Sequence, residues 1–278
     1  MKVARCNDGS NTFWAVIDPD GKTARPLAGA ITDWAPGLTA NPGGPLPFAG
    51  PARPLDGLRL LAPLEPTARI PAVGATYAKH VAGLGLKMPK QPAAFLKPVS
   101  SLVGPQDELN YPAITKALDY EGELVVIVGA KVESPDRAIE AILGYTIGNE
   151  VSARDLQFGG SVTGMDLFSG KALDSTGSLG PWIVTRDEFG DRSPDLELEV
   201  TVNGERRQHE RTGNLVWGVG ELLAYVDARM SVRPGDVMFT GTPAGVGHED
   251  GRYLEPGQVV TVTIERMGSL TNTVGARR

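Results

Sequence analysis

The stretch Asp119-Tyr120-Glu121-Gly122-Glu123-Leu124-Val125-Val126-Ile127-Val128-Gly129 sets two carboxylates two residues apart at the head of an apolar run. In a strand, residues two apart point to the same face, so Glu121 and Glu123 share a face with Val125 and Ile127. Two like charges on an apolar face repel and lose hydration. A bound divalent cation offsets both costs, and all-oxygen ligation points to Mg²⁺, Mn²⁺ or Ca²⁺. The alternative is a sheet rim, where both glutamates are solvated and the core starts at Val125. A second polar stretch, 144–157, offers Glu150 as a third ligand and places Arg154 beside Asp155 as a structural ion pair. Lys171 beside a cation is disfavoured unless it also meets an anionic substrate. Near the end of the chain, 234–247 runs a strand into a glycine-rich turn at Gly241 and Thr242, whose amides can face a small anion. No Lys-Ser/Thr pair follows those glycines, which argues against a phosphate loop.

These residues need a scaffold, and composition bounds it. The chain has 278 residues, 41% of them hydrophobic, with a net charge of −6, enough for one large domain plus a small appendage. The 35 Gly and 22 Pro disfavour long coiled coils and favour short strands and turns. With one cysteine, Cys6, and only His80, His209 and His248, any metal must be held mainly by carboxylates. His209 and His248 read as surface residues, and Trp182 and Trp217 as core or interface aromatics. The acidic balance without a basic cluster argues against nucleic acid or an anionic membrane, and no apolar signal core opens the chain. A cytoplasmic protein is expected.

Thirteen Pro or Gly residues lie between Pro36 and Pro66. That density places a boundary near residue 66, with a small N-terminal domain at 1–66 and a main domain at 67–278. Strands are predicted at 11–17, 122–128, 196–202, 236–240 and 259–264, with turns at Asp18-Pro19-Asp20-Gly21 and Asn203-Gly204. Helices are predicted from Ser134 through Ile142 and from Asn214 to Met230. Strands dominate, so the fold class is α+β and β-rich rather than doubly wound.

Together the pieces GATYAKHVAGLG (74–85), FLKPVSSLVGP (95–105), DYEGELVVIVG (119–129), GYTIGNEVSARDLQ (144–157), GKALDSTGSLGPWIVT (170–185), VNGERRQ (202–208) and PGDVMFTGTPAGVG (234–247) resemble the fumarylacetoacetate hydrolase family. The N-terminal appendage resembles that of its two-domain bacterial members. The resemblance implies a mixed β-sheet roll, a homodimer, and Mg²⁺ or Mn²⁺ held by Glu121, Glu123 and Glu150. It implies a short β-diketo or α-keto acid as substrate and C–C hydrolysis, decarboxylation or keto–enol isomerisation as the reaction. It casts His80 as general base, Lys171 as holder of the oxyanion or carboxylate, Gln157 as orienter of substrate or water, and Thr242 as carboxylate binder. Lys97, Tyr77 and Gly241 fall to substrate binding.

Three positions depart from the family pattern. Thr76-Tyr77 stands where Asn-Tyr is usual, and Glu150 where an Asp is usual. Gly83 stands where a Glu normally completes a His–Glu dyad, which leaves His80 a weaker base unless a distant acid substitutes. The leading expectation is a metal-dependent hydrolase of an acylpyruvate- or fumarylpyruvate-like diketo acid. A decarboxylase or isomerase of a 2-keto acid, or a non-catalytic family member, are the alternatives those departures raise.

Overall fold

The computed structural model describes residues 1–278. The N-terminal part contains β1 (Lys2–Asn7), β2 (Thr12–Ile17), β3 (Thr23–Pro26), helix α1 (Ile31–Ala40), β4 (Arg53–Pro54) and β5 (Arg59–Leu61). Next come β6 (Ile70–Gly74), α2 (Ala78–Gly83), β7 (Ala93–Lys97), β8 (Leu102–Val103), β9 (Glu108–Tyr111), β10 (Leu118–Asp119) and β11 (Gly122–Val128). The middle continues with β12 (Ile142–Asn149), β13 (Ser152–Ala153), α3 (Arg154–Gln157), α4 (Leu167–Lys171) and β14 (Gly177–Thr185). The remainder is β15 (Glu197–Val202), β16 (Glu205–Arg211), α5 (Val219–Asp227), β17 (Val237–Phe239), α6 (Gly247–Asp250), β18 (Val259–Ile264) and β19 (Gly268–Arg277). No helix is long and apolar enough to cross a membrane.

The architecture is mixed and sheet-rich. One sheet runs β4-β3-β2-β1-β14-β12-β11-β17-β6-β7, and a second runs β16-β15-β18-β19-β9. Every residue of β11 and of β12 is buried, which is why β11 reads as a near-continuous apolar run. Alternation sends Leu124, Val126 and Val128 into a core with Leu198, Val200, Val262 and the α5 residues Leu222 and Leu223. Val125 and Ile127 point the other way, into a core with Trp14, Trp34 and Phe239. Strand β11 thus lies between two cores, with Glu121 just before its first residue and Glu123 at its second position.

The predicted strands at 122–128 and 259–264 match β11 and β18. The Asn203-Gly204 turn has both residues at positive φ, 51° and 79°, as a type I′ hairpin requires. Both predicted helices are corrected. The segment after Ser134 is a 3-10 helix, Pro135–Ala141, with no side-chain cap from Ser134. It only bridges the antiparallel neighbours β11 and β12, and short bridges favour the tighter helix. The helix expected over 214–230 is α5 alone. It starts late because the Glu221 carboxylate accepts the Gly218 N–H at 2.7 Å. It ends early because the Asp227 carboxylate accepts the Val232 N–H at 2.9 Å. Leu215 and Trp217 still pack on the core, from extended chain. The N-terminal strands do not form a sheet of their own, since β1 pairs with β14 of the main sheet.

Candidate active site

Register brings the carboxylates together. Gly122 of β11 faces Asn149 of β12, and the Glu150 N–H donates to the Glu121 carbonyl at 2.8 Å. The Asn149 side chain accepts the Glu121 N–H at 3.0 Å and fixes that end of the pair. Glu121, Glu123 and Glu150 therefore converge, each with an oxygen within 4.8 Å of the others, and all three are buried. The solvated-rim alternative is thereby removed.

Cations surround them. Lys171, at the end of α4, donates to Glu121 at 2.6 Å and to Glu150 at 2.8 Å. Arg154 pairs with Glu121 at 2.6 Å and with Asp119 at 2.7 Å, and donates to Gln157 at 3.0 Å. The expected Arg154–Asp155 pair does not form. Asp155 instead accepts from the Thr115 hydroxyl and, at 2.8 Å, from the Lys116 N–H. A helical start at Arg154 turns consecutive side chains apart, so the arginine enters the site while its neighbour caps a loop.

Burial pushes Glu121 up, but Lys171 and Arg154 outweigh it and hold its carboxyl well below the usual range. Glu123 goes the other way, because burial and then the charges of Glu150 and Glu121 raise it well above the usual carboxylate value. Burial alone would lower Lys171, yet Glu121 and Glu150 hold it above its ordinary value. Lys97 is lowered, because burial outweighs its attraction to Glu150. The donor set suits a hard divalent cation: it is all oxygen, and Glu150 Oε1 is buried with no hydrogen-bond donor.

Above the carboxylates lies a cleft lined by His80, Gln157, Lys171, Gly241 and Thr242 together with all three glutamates. The rest of its wall is largely apolar and includes Leu84, Leu86, Phe95, Phe158 and Met165. Gly241 sits at φ 98°, and a Cβ there would fall 2.0 Å from the Thr76 hydroxyl. Only glycine lets this turn close down so that its N–H reaches Glu123 Oε2 at 2.7 Å. That amide serves the carboxylate rather than an anion. The Thr242 hydroxyl donates to the Gly122 carbonyl at 3.0 Å and accepts from Gln208 at 2.9 Å.

Two of the expected substrate contacts lie off the cleft. Lys97 stands behind it, buried, 3.6 Å from Glu150 and donating to the Lys171 carbonyl. Tyr77 is buried with its hydroxyl unpartnered and is absent from the cleft wall. His80, three residues on in α2, lines the cleft instead. His248 is corrected from surface residue to half-buried: it stacks on Phe158 with centroids 5.0 Å apart and its ring meets the Tyr253 hydroxyl at 2.9 Å. His209 is exposed and meets Glu197 at 2.7 Å. Sequence reasoning missed Asp119 and Gln208, both within quoted motifs, and Glu249. His80 Nδ1 lies 3.3 Å from Glu249 Oε1, across 169 residues of chain. No local pattern announces such a pair.

A sheet-rich fold thus sets a buried carboxylate cluster, with Lys97, Arg154 and Lys171 around it, beneath a half-apolar cleft. The C-terminal domain of fumarylacetoacetate (FAA) hydrolase matches residues 69–275, and an Rv2993c-like N-terminal domain matches 1–63. The chain belongs to the fumarylacetoacetate hydrolase family. It is 38% identical to Protein Rv2993c of Mycobacterium tuberculosis, over 99% of this chain and 98% of that one. The 5-carboxymethyl-2-hydroxymuconate delta-isomerase of Mycobacterium smegmatis superposes with a TM-score of 0.81 at 36% identity, covering 100% of both chains. The fumarylpyruvate hydrolase of Pseudomonas aeruginosa, solved with Mn²⁺ and pyruvate, has a TM-score of 0.70 at 31% identity over 79% of this chain and 92% of that one.

Proposed function

We propose that this protein hydrolyses a C–C bond in an acylpyruvate, a short β-diketo acid, with Mg²⁺ or Mn²⁺ bound by Glu121, Glu123 and Glu150. The observation that carries this reading is the convergence of three buried glutamates under a cleft whose wall bears a histidine. A bound divalent cation supplies Lewis-acid stabilisation of enolate charge. With its Nδ1 toward Glu249, His80 has Nε2 free to take a proton from water. The resulting hydroxide adds to the ketone distal to the carboxylate. The bond between that carbon and the methylene then breaks, its electron pair passing to the pyruvate enolate. The proton held on His80 returns to the methylene carbon to give pyruvate, and the acyl part leaves as a carboxylate. Lys171, already charged, is placed to hold the developing oxyanion. Gln157, fixed by Arg154, orients the substrate.

The apolar residues of the cleft wall support an uncharged acyl group. The cleft's cations, Lys171 and Arg154, are already engaged by carboxylates. Burying a second, unpaired carboxylate there is costly. The decarboxylase alternative drew its weight from the missing glutamate at position 83, and the non-catalytic one from that position and Glu150; Glu249 stands beside His80, and Glu150 lies within the carboxylate cluster. A keto acid and a second copy of this chain, in a homodimer, are the proposed partners.

The test is metal content by elemental analysis, then turnover of acetylpyruvate and fumarylpyruvate by stripped and Mn²⁺-loaded protein. The expected result is one ion per chain, lost in E121A, and pyruvate released from acetylpyruvate only when metal is present. At least a tenfold preference, about 1.4 kcal/mol, is expected for acetylpyruvate over fumarylpyruvate. Release of CO₂, or loss of enol absorbance without pyruvate, would transfer the assignment to decarboxylation or isomerisation. Inertness of loaded and stripped protein alike would end the reading.

A further inference from the structure

Position 83 is occupied in space although it carries no side chain. A Cβ built on Gly83 would meet three atoms first, and all belong to the Glu249 carboxylate, with Cδ at 2.8 Å. The Gly83 backbone lies outside the positive-φ region, so local conformation does not demand glycine there. The demand comes from Glu249. That residue sits in α6, directly after the turn that carries Gly241 and Thr242. Its Oε2 accepts the Gly245 N–H at 3.0 Å, which ties the carboxylate to the turn. Its Oε1 faces His80 Nδ1 at 3.3 Å. His80 is 7% exposed, and its ring is on the cleft wall.

We infer that Glu249 is the positioning residue of His80, admitted to the site by the absent side chain of Gly83. The inference rests on the proposed function in one respect, that His80 takes a proton from water. The carboxylate accepts Nδ1–H, selects that tautomer, and leaves Nε2 as the basic nitrogen. It also stabilises the imidazolium that forms when Nε2 takes the proton. Because Glu249 is anchored on the glycine turn and His80 on α2, the contact also holds α2 in place over the carboxylate cluster.

The test is a transposition in Mn²⁺-loaded protein. E249A removes the carboxylate. G83E alone forces two carboxylates into one volume. G83E/E249A returns a single carboxylate from α2 without restoring the bond to the Gly245 N–H. Acetylpyruvate kinetics and the His80 ring ¹⁵N shifts are measured in each. E249A is expected to lower kcat by about 10- to 100-fold with KM nearly unchanged. The ring is expected to leave the Nδ1–H tautomer, and E249Q, which keeps an acceptor without the charge, to fall between wild type and E249A. G83E/E249A is expected to recover most of kcat and the tautomer, which mere support of the glycine turn by Glu249 would not produce. A kcat within twofold of wild type in E249A, or a tautomer indifferent to position 249, overturns the inference. So does a double variant no better than E249A, provided that it folds to the wild-type melting temperature. If wild-type protein releases no pyruvate, the hydrolase reading fails, and the ¹⁵N shifts still decide whether Glu249 sets the tautomer.

Discussion

A buried carboxylate without a cation of its own must hold a proton or meet a metal, and Glu123 is in that position. Lys171 and Arg154 are spent on Glu121 and Glu150, while Glu123 has only the Gly241 N–H. Its raised pKa means that the metal-free native state keeps a proton which the unfolded chain loses near its ordinary carboxylate value. The stability tied to that proton is complete below the unfolded pKa and is lost as pH rises through the raised one. In metal-free protein, E123Q, which mimics the protonated acid, should lose less melting temperature than wild type as pH rises above the ordinary carboxylate range. Mn²⁺ should raise the wild-type melting temperature and leave that of E123Q unmoved. Parallel pH profiles for the two metal-free proteins would refute this. At this scale the sequence showed the carboxylates clearly, because the strand period alone pairs Glu121 with Glu123. It could not show Arg154 joining Asp119 and Glu121, nor Glu249 reaching His80, because both contacts depend on packing between distant segments.

The element that builds the centre is the β11–β12 pair. Its register sets Glu150 beside Glu121, and it tolerates little change in spacing. A Cβ on Gly148 would fall 2.5 Å from the Phe239 ring and 2.7 Å from Val125. G148A must therefore push β12 or β17 away two residues from Glu150. The expected cost is about 1–3 kcal/mol in urea denaturation, with weaker Mn²⁺ affinity by titration. Unchanged stability and affinity would show that the register has slack and that the glutamates are placed by something else. Strand β11 was legible because both its faces are buried and its apolar run is long, whereas β12, broken by Gly144, Thr146 and Gly148, was not. The helices were legible only in part. Residues 134–142 carry a helix-like start, but they wind as a 3-10 helix over Pro135–Ala141, without a side-chain cap from Ser134. Residues 214–230 keep the apolar period on the buried face of α5, yet capping by Glu221 and Asp227 shortens the helix at both ends.

Across the whole molecule, the composition break near residue 66 and the physical core do not coincide. Trp14, Ile31, Trp34 and Leu38 from the N-terminal part pack in one core with Val125, Ile127, Leu143 and Phe239. Trp14 and Trp34 meet edge to face, with centroids 5.6 Å apart. That core covers the face of β11 on which Glu123 stands, so the N-terminal part forms the floor under the proposed metal ligands. Loosening the floor should therefore weaken the centre from a distance. W34A should cost about 3–5 kcal/mol and should reduce Mn²⁺ affinity although Trp34 touches no ligand. Its unfolding should stay a single transition, with tryptophan fluorescence and far-ultraviolet dichroism coinciding, because one core spans both parts. Two separated transitions, or full metal affinity in a destabilised W34A, would mean that the N-terminal part folds by itself and that β11 holds its glutamates without it.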